Sequence, residues 1–226
     1  MSPSQLEAGD QRTVLSFHDS LLRTSDLATL DNGNWLNDQI ISFYLEYLEN
    51  NVYHRFRDEI QFLPAGVVQW MKSLAPDELH QSFGNISEQR LVFIPLNNCE
   101  ISHGGGSHWS LIIYFDKRFL HLDSSPPMNK ANARSFCKKL SPCFSKDPIP
   151  IDEVNCPSQT NSSDCGVYVL EFTEIACKAY ARDKRLSVDV FAQVTPARIR
   201  EKRRSIIRII GELHDRPDYT HIDVGL

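Results

Sequence analysis

Three short runs of β-branched and aromatic residues lie close together in the middle of this 226-residue chain. They occupy residues 90–96, 109–115 and 118–122, and turn residues bound each of them. Runs of this kind are typical of strands that are half or fully buried. Only Asp116 and Lys117 separate the last two runs, which is the right length for a tight hairpin. The centre of the fold is therefore predicted to be a sheet.

Apolar residues recur at helical spacing on both sides of this centre. The predicted helices are residues 35–50, a segment that follows Pro64, residues 128–140, a segment that begins after Asp164, and residues 195–213. Asn37 or Asp38 can cap the first of these helices. Residues 149–154 are predicted to add one more strand, whereas residues 83–89 are predicted to form a loop. The pattern indicates an α+β fold in which helices flank a central mixed sheet.

The chain is predicted to be one domain that spans residues 13–214, with flexible tails at residues 1–12 and 215–226. Apolar residues make up 41% of the sequence and charged residues 23%, which suits a soluble protein with a sizeable core. No apolar stretch approaches the roughly 18 residues that a membrane-spanning helix needs. A membrane is therefore not an expected partner.

The formal net charge of −5 argues against a protein that mainly neutralises phosphate backbones, so nucleic acid is not an expected partner either. The N-terminal residues lack the basic start and the apolar core of a secretory signal. We therefore expect a cytoplasmic and nuclear protein, in which thiols stay reduced. A monomer is the expected oligomeric state.

The six cysteines of the sequence are predicted to be thiols rather than disulfides, because a chain of this size does not need such cross-links. They are Cys99, Cys137, Cys143, Cys156, Cys165 and Cys177. The nearest grouping, Cys99 with His103 and His108, matches no familiar zinc-binding spacing. Neither a metal nor another cofactor is expected.

The last predicted helix carries a cluster of basic residues. The cluster consists of Arg198, Arg200, Lys202, Arg203, Arg204 and Arg208. It suits either a nuclear-import or nucleic-acid-binding patch, or a solvated helix face that Glu201 stabilises. The second interpretation is the more common one for charge runs in helices.

Among the cysteines, Cys165 has the placement that favours a reactive thiolate. Polar residues 161–164 precede it and a long apolar helix follows, so its sulfur is predicted to lie near the positive end of a helix dipole. Gly166 removes a side chain that would crowd an incoming carbonyl group. Cys165 is therefore a candidate nucleophile, although a cysteine in an apolar helix is also an ordinary buried residue.

His108 begins one strand of the predicted hairpin and Asp123 ends the other, so the two should be neighbours. Asp123 would then orient His108 as a general base for Cys165. Gln159 is a candidate donor to the oxyanion, with the Cys165 backbone N–H as the second donor. Taken singly, these residues also fit a surface histidine, a turn-forming aspartate and a loop glutamine.

Taken together, HWS at the start of one strand, LDS at the end of the next and Q-x5-C-G at a helix start resemble the Ulp/sentrin-type cysteine proteases of ubiquitin-like proteins. The resemblance covers about residues 14–213 and includes WLND and TPARI. It implies a single papain-like protease domain of the Ulp/adenain type. The implied catalytic residues are the base His108, the orienting acid Asp123, the oxyanion donor Gln159 and the nucleophile Cys165. The stretch GGSHWSLIIY looks most like the deneddylase branch.

The resemblance also implies substrate-binding residues. In the family, the tryptophans that match Trp35 and Trp109 cover the Gly-Gly tail of the modifier, and Asp38 matches a residue that contacts this tail. A diglycine offers no side chain to grip, so a narrow tunnel between flat rings is a suitable way to hold it. Without the resemblance, both tryptophans would be assigned to the core and Asp38 to the helix cap.

The implied activity is that of a cysteine isopeptidase that cleaves after the C-terminal Gly-Gly of the neddylation modifier. It would process the precursor and release the modifier from lysines of proteins such as cullins. Alternatives stay open. The modifier can instead be SUMO or ubiquitin, the chain can be a non-catalytic module that binds a ubiquitin-like protein, or the same triad can transfer acyl groups to proteins.

Overall fold

The computed structural model of the protein describes residues 11–84, 86, 90–99 and 105–216. Its strands are β1 (Thr13–Phe17), β2 (Ser20–Arg23), β3 (Ile60–Phe62), β4 (Leu91–Asn97), β5 (Trp109–Phe115), β6 (Arg118–Leu122) and β7 (Ile151–Glu153). Its α-helices are α1 (Thr24–Ala28), α2 (Asp38–Tyr47), α3 (Ala65–Ser73), α4 (Pro76–Phe83), α5 (Lys130–Phe144), α6 (Cys165–Asp183) and α7 (Pro196–His214). Short helical turns lie at Leu48–Val52, His54–Phe56 and Val188–Gln193. These elements confirm the predicted mixture of helices and strands.

The central sheet has five strands in the order β3-β4-β5-β6-β7, and β1 pairs with β2 in a separate sheet. The outer pairs β3–β4 and β6–β7 are parallel, whereas β4–β5 and β5–β6 are antiparallel. Asp116 and Lys117 join β5 to β6 with positive φ angles of 48° and 58°. Positive φ at both positions is the geometry of a type I′ hairpin turn. The predicted mixed sheet and hairpin are confirmed.

Apolar side chains cover both faces of this sheet. In β4, Leu91 and Phe93 belong to a core that includes residues of α2, α6 and α7. Val92 and Ile94 point to the opposite face, where they pack with residues of α3, α4 and α5. Successive residues of a strand alternate between faces, so a strand buried on both faces appears in sequence as an unbroken apolar run. This explains the central runs of the sequence.

Helix α5 is longer than predicted. The sequence pattern predicts an end at residue 140, but the helix continues to Phe144 with Pro142 inside it. Proline lacks the N–H group that a helix interior needs. The Phe144 ring packs on Tyr114 and Phe119, with centroid distances of 4.2 and 5.4 Å. Burial of the last turn against these rings offsets the missing hydrogen bond.

The structure also contains elements that the sequence patterns did not predict. These include the β1–β2 pair, β3, α1 and α4. Helix α4 begins with Pro76 at its first position, which is a typical helix start. It includes Phe83, the first residue of the loop predicted at residues 83–89. Residues 85 and 87–89 of that predicted loop lie outside the described residues.

The predicted tails fall mostly outside the described residues. The first strand begins at Thr13 and α7 ends at His214. Residues 1–10 and 217–226 are not among the described residues. The flexibility of the tails therefore stays a prediction. In the described part of the chain, no helix combines the length and the apolar character needed to cross a membrane.

The basic cluster of α7 is divided between the interior and the surface. Lys202 and Arg203 are buried, with exposed fractions of 6% and 3%. Lys202 Nζ lies 3.0 Å from Glu171 Oε2 and also binds Glu174. Arg198 Nε lies 2.6 Å from Glu171 Oε1. The solvated-face interpretation is therefore wrong for Lys202 and Arg203, which pair with acidic groups inside the fold. It is confirmed for Arg204, which is exposed and lies 3.8 Å from Glu201, and Arg200 and Arg208 are exposed as well.

Candidate active site

Cys165 is the first residue of α6, and Asp164 is the residue that precedes the helix. The loop at residues 161–164 is organised by Asn161, whose Oδ1 accepts hydrogen bonds from the backbone N–H groups of Ser163 and Asp164 at 3.0 Å each. Asparagine commonly folds a turn onto its own side chain in this way. The predicted position of Cys165 at the start of a long buried helix is thus confirmed.

His108 lies immediately before β5 and is 1% exposed. Its backbone is held by Asn98. The Asn98 N–H donates to the His108 carbonyl at 3.0 Å, and the His108 N–H donates to Asn98 Oδ1 at 3.0 Å. The sequence analysis missed Asn98, because an asparagine after a strand gives only an ordinary turn signal.

Asp123 follows β6, and its carboxylate meets the imidazole of His108. The distance from His108 Nε2 to Asp123 Oδ1 is 2.6 Å. The backbone N–H groups of Ser125 and Asn129 donate to Oδ1 and Oδ2 at 2.9 and 3.0 Å. Burial acts to raise the pKa of Asp123, but the hydrogen bonds from His108 and the two backbone groups lower it below its ordinary value. Asp123 is therefore an ionised acceptor, and Nε2 carries the proton.

Asn129 fixes the turn that follows Asp123. It is 0% exposed, and its Nδ2 donates to the Leu96 carbonyl and to Ser110 Oγ at 2.9 Å each. These bonds attach the turn to β4 and β5. The sequence analysis missed Asn129, because its contacts are with strands far away in the chain.

The imidazole of His108 also interacts with Cys165. Burial disfavours the charged imidazole, but hydrogen bonds with Asp123 and Cys165 outweigh this effect and raise the pKa of His108 to about 9. Because Nε2 is directed to Asp123, Nδ1 is the nitrogen that remains for the sulfur. An imidazolium at neutral pH is suited to stabilise a thiolate on Cys165.

The raised pKa of His108 predicts a descending alkaline limb in the pH profile of kcat/KM. The limb should have its midpoint near pH 9, where His108 loses the proton that stabilises the thiolate. The same proton stabilises the fold below the ordinary pKa of 6.5, and this contribution is lost as the pH rises through about 9. Initial rates and thermal unfolding between pH 6 and about 10.5 would check both effects. If kcat/KM does not change across pH 9, the expected pairing of a His108 imidazolium with a Cys165 thiolate is contradicted.

Gln159 is oriented by two hydrogen bonds. Its Oε1 accepts from Ser124 Oγ at 2.7 Å, and its Nε2 donates to the Asn161 carbonyl at 2.6 Å. An amide nitrogen carries two N–H bonds, so the second remains for an oxyanion. The sequence analysis quoted Ser124 only as part of LDS and missed its contact with Gln159.

A cleft of about 420 Å³ opens beside His108 and Gln159. Residues 160–162 and Trp35 contribute to its lining. Trp35 is 49% exposed, and its Nε1 donates to the Ser162 carbonyl at 2.7 Å. The structure thus brings Trp35 to the same cleft as His108 and Gln159, whereas Cys165 is buried, with an exposed fraction of 1%.

Trp109 and Asp38 are placed differently. Trp109 is 8% exposed, packs in the core, and donates from Nε1 to the Leu36 carbonyl at 3.1 Å. From its place in the core, Trp109 thus holds the backbone next to Trp35. Asp38 is exposed at the first position of α2, while Asn37 is the cap because its side chain accepts from the Ile40 N–H at 3.1 Å. Contact of Trp35, Trp109 and Asp38 with a modifier tail stays a prediction.

The glycines near the site permit close packing. A Cβ on Gly106 would lie 1.6 Å from Asn97 Oδ1 and 2.7 Å from the Cys99 backbone nitrogen. A Cβ on Gly166 would lie 3.0 Å from Leu36 Cβ. The bare Cα of Gly166 therefore makes room for Leu36, which corrects the expectation that it makes room for an incoming carbonyl.

Other cysteines lack the surroundings of Cys165. Burial raises the pKa of Cys156 to about 11 and raises the pKa of Cys143 and Cys177 above the ordinary value. These thiols stay protonated at neutral pH. Within residues 11–84, 86, 90–99 and 105–216, no group of His, Cys, Asp and Glu side chains is arranged to hold a metal ion.

The chain is similar to proteins of known family over most of its length. The profile described as Ulp1 protease family, C-terminal catalytic domain, matches residues 80–202. Sentrin-specific protease 8 of Homo sapiens is 36% identical over 197 residues, which cover 84% of this chain and 92% of the relative. NEDD8-specific protease 1 of Arabidopsis thaliana is 30% identical over 219 residues, which cover 90% of this chain and 95% of the relative.

Solved structures share the fold. SUMO protease Ulp1 with the catalytic cysteine oxidised to a sulfenic acid matches with a TM-score of 0.66 and 21% identity, over 91% of this chain and 89% of that chain. The C-terminal Ulp1 protease domain in complex with Smt3, the yeast ortholog of SUMO, matches with a TM-score of 0.65 and 20% identity, over 89% and 87%. The chain therefore belongs to the Ulp1 family of cysteine proteases, with the papain-like fold of that family in a single domain.

Proposed function

We propose that the protein is a deneddylase, a cysteine isopeptidase that cleaves after the C-terminal Gly-Gly of the neddylation modifier. It acts on the precursor of the modifier and on conjugates in which the modifier is attached to lysines of proteins such as cullins. Support comes from the relative named NEDD8-specific protease 1 and from sentrin-specific protease 8, both of which match this chain over nearly their whole length.

In the proposed reaction, the Cys165 thiolate attacks the carbonyl carbon of the last glycine, and the carbonyl electrons move to the oxygen. Gln159 Nε2 and the Cys165 backbone N–H stabilise this oxyanion. The oxyanion then collapses, the C–N bond breaks, and His108 donates its proton to the leaving amine. A water molecule, deprotonated by His108, then attacks the thioester carbonyl. The C–S bond breaks, the glycine carboxyl group is released, and the Cys165 thiolate is restored beside the protonated His108.

One observation carries this proposal. The imidazole of His108 lies 2.6 Å from Asp123 Oδ1, and Cys165, the first residue of a long helix, is close enough to the same imidazole to raise its pKa. Acyl transfer through a thioester requires a nucleophile next to a base, and an acid that orients this base. Trp35 adds a flat wall to the adjacent cleft, which suits an extended tail without side chains.

Covalent capture tests the proposal. The neddylation modifier, SUMO and ubiquitin, each with a thiol-reactive group at the C-terminus, are incubated separately with the protein, and intact mass is measured. We expect an adduct with the neddylation modifier that is absent in Cys165→Ala. An adduct mainly with SUMO or ubiquitin keeps the chemistry but contradicts the modifier. No adduct with any of them, in a folded sample, favours a binding module or an acyltransferase.

Replacing Gln159 with alanine should lower kcat by about 10² to 10³ with little change in KM, because the proposed contact of this amide with the substrate is the one with the oxyanion. Steady-state kinetics on a modifier substrate measure this split. Thr160→Ala, a change in the same cleft lining, is the matched control and should stay near the wild-type rate. A normal kcat in Gln159→Ala removes the residue from the mechanism.

A further inference from the structure

We propose that Arg203 is a positioning residue that holds the Trp35 side of the cleft against the 161–164 loop and so sets the width of the passage for the diglycine tail. This inference rests on the proposed function, because the passage belongs to the same cleft. Arg203 lies in α7, far from Trp35 and Cys165 in the sequence, and its guanidinium touches the segments that bear both of them.

The first set of contacts holds the loop that leads into Cys165. Arg203 Nε and Nη2 lie 3.1 and 2.8 Å from Asp164 Oδ1, and Nη2 also donates to the Ser163 carbonyl at 3.2 Å. Charge-assisted bonds of this kind are among the stronger hydrogen bonds in proteins. The residues immediately before Cys165 are thus fixed by Arg203.

The second set of contacts holds the segment that leads into Trp35. Arg203 Nη2 donates to the Asn34 carbonyl at 2.8 Å, and Nη1 donates to the Thr29 carbonyl at 3.1 Å. A guanidinium presents its donors in a rigid planar fork, so one side chain can bind both segments at once. A lysine ammonium concentrates its donors at one point and cannot reach both in the same way.

A second bond joins the same two segments at the surface, from Trp35 Nε1 to the Ser162 carbonyl. Trp35 is 49% exposed, so water can replace this bond, whereas Arg203 is only 3% exposed. A buried guanidinium cannot leave its acceptors without a large desolvation cost. Arg203 is therefore the element that keeps the separation between the two walls constant. Selection of glycine over larger residues needs walls that do not move apart.

The test compares Arg203→Lys with Arg204→Lys, the same chemical change at the neighbouring residue. Arg204 is a suitable control because its side chain is 75% exposed and lies 3.8 Å from Glu201. Each variant is assayed on modifier substrates that end in Gly-Gly or in Ala-Gly, so that the reacting carbonyl is unchanged. For Arg203→Lys we expect kcat/KM on Gly-Gly to fall by about tenfold to a hundredfold. On the substrate that ends in Ala-Gly, kcat/KM should fall by a smaller factor, so the preference for Gly-Gly decreases.

General destabilisation would lower both rates in proportion. An unchanged preference for Gly-Gly, or a wild-type rate in Arg203→Lys, therefore overturns the proposal. The rate at which chloroacetamide alkylates Cys165 should stay close to that of the wild type, because this small reagent does not need the passage. A large fall in alkylation would show damage to the thiolate and would also contradict a role in tail selection.

Hydrogen exchange tests the inference without any substrate. In Arg203→Lys, the amides of residues 29–35 and 161–164 should exchange faster together, while Arg204→Lys leaves them unchanged. If both segments of Arg203→Lys exchange at the wild-type rate, the proposal is overturned. If the unchanged protein cleaves neither the Gly-Gly nor the Ala-Gly substrate, only the proposed function is contradicted. Should Arg203→Lys not fold, Asp164→Asn weakens the first set of these bonds, and it should change exchange and preference in the same direction.

Discussion

Replacing Cys165 with alanine should abolish turnover while binding of the modifier tail is retained. Removal of the nucleophile from a protease triad lowers kcat by about 10⁶-fold, because no other group forms the acyl intermediate. Trp35 and the cleft wall do not depend on the sulfur, so the dissociation constant should change little. Single-turnover assays and fluorescence titration with the modifier measure the two quantities.

Cys156→Ala is the matched control for this change. Cys156 Sγ donates to the Asp123 carbonyl at 3.5 Å, so this cysteine also lies close to the site. Its pKa, raised by burial to about 11, keeps it protonated at neutral pH. We expect Cys156→Ala to keep most of the activity. Full turnover in Cys165→Ala, or complete loss in Cys156→Ala, would overturn the assignment of the nucleophile.

Replacing Asp123 with asparagine should lower kcat/KM by up to about 10⁴-fold, the loss known for the equivalent change in a serine triad. The amide either directs its N–H groups at His108, which selects the wrong tautomer, or leaves the Asn129 N–H without an acceptor. In both cases the negative charge that supports the imidazolium is lost. The alkaline limb should therefore move below pH 9, as a pH series of kcat/KM would show.

Asp152→Asn supplies the control for Asp123. The Asp152 carboxylate lies 3.2 Å from Arg118, and both side chains are exposed. Exposed ion pairs contribute little to stability, so this variant should keep the wild-type rate and pH profile. If Asp123→Asn behaves like Asp152→Asn, His108 does not depend on Asp123 for its orientation.

The grouping of His108, Asp123 and Cys165 could be predicted because it depends on short-range features of the sequence. A two-residue turn pairs β5 with β6 and brings His108 next to Asp123. The change from polar residues 161–164 to an apolar helix fixes the position of Cys165. The family resemblance then supported these assignments, and that of Gln159, through the order His, Asp, Gln, Cys.

The residues that hold this group in place could not be predicted in the same way. Asn98, Ser124 and Asn129 stand at turns, where asparagine and serine are common for purely local reasons. Their contacts with His108, Gln159 and the strands β4 and β5 are visible only when the turns are folded against one another. Sequence alone does not distinguish them from solvated loop residues.

The sequence by itself determined the central strands, the hairpin between them and the helix start at Cys165, because residue composition, helical periodicity and turn chemistry act between neighbours in the chain. Tertiary structure alone decided that α5 continues past Pro142, that Trp109 lies inside and that Arg203 turns inward. The energies of these last features come from contacts between segments far apart in sequence. A buried ring or a buried charge is stable only where the folded chain supplies its packing surface or its acceptors.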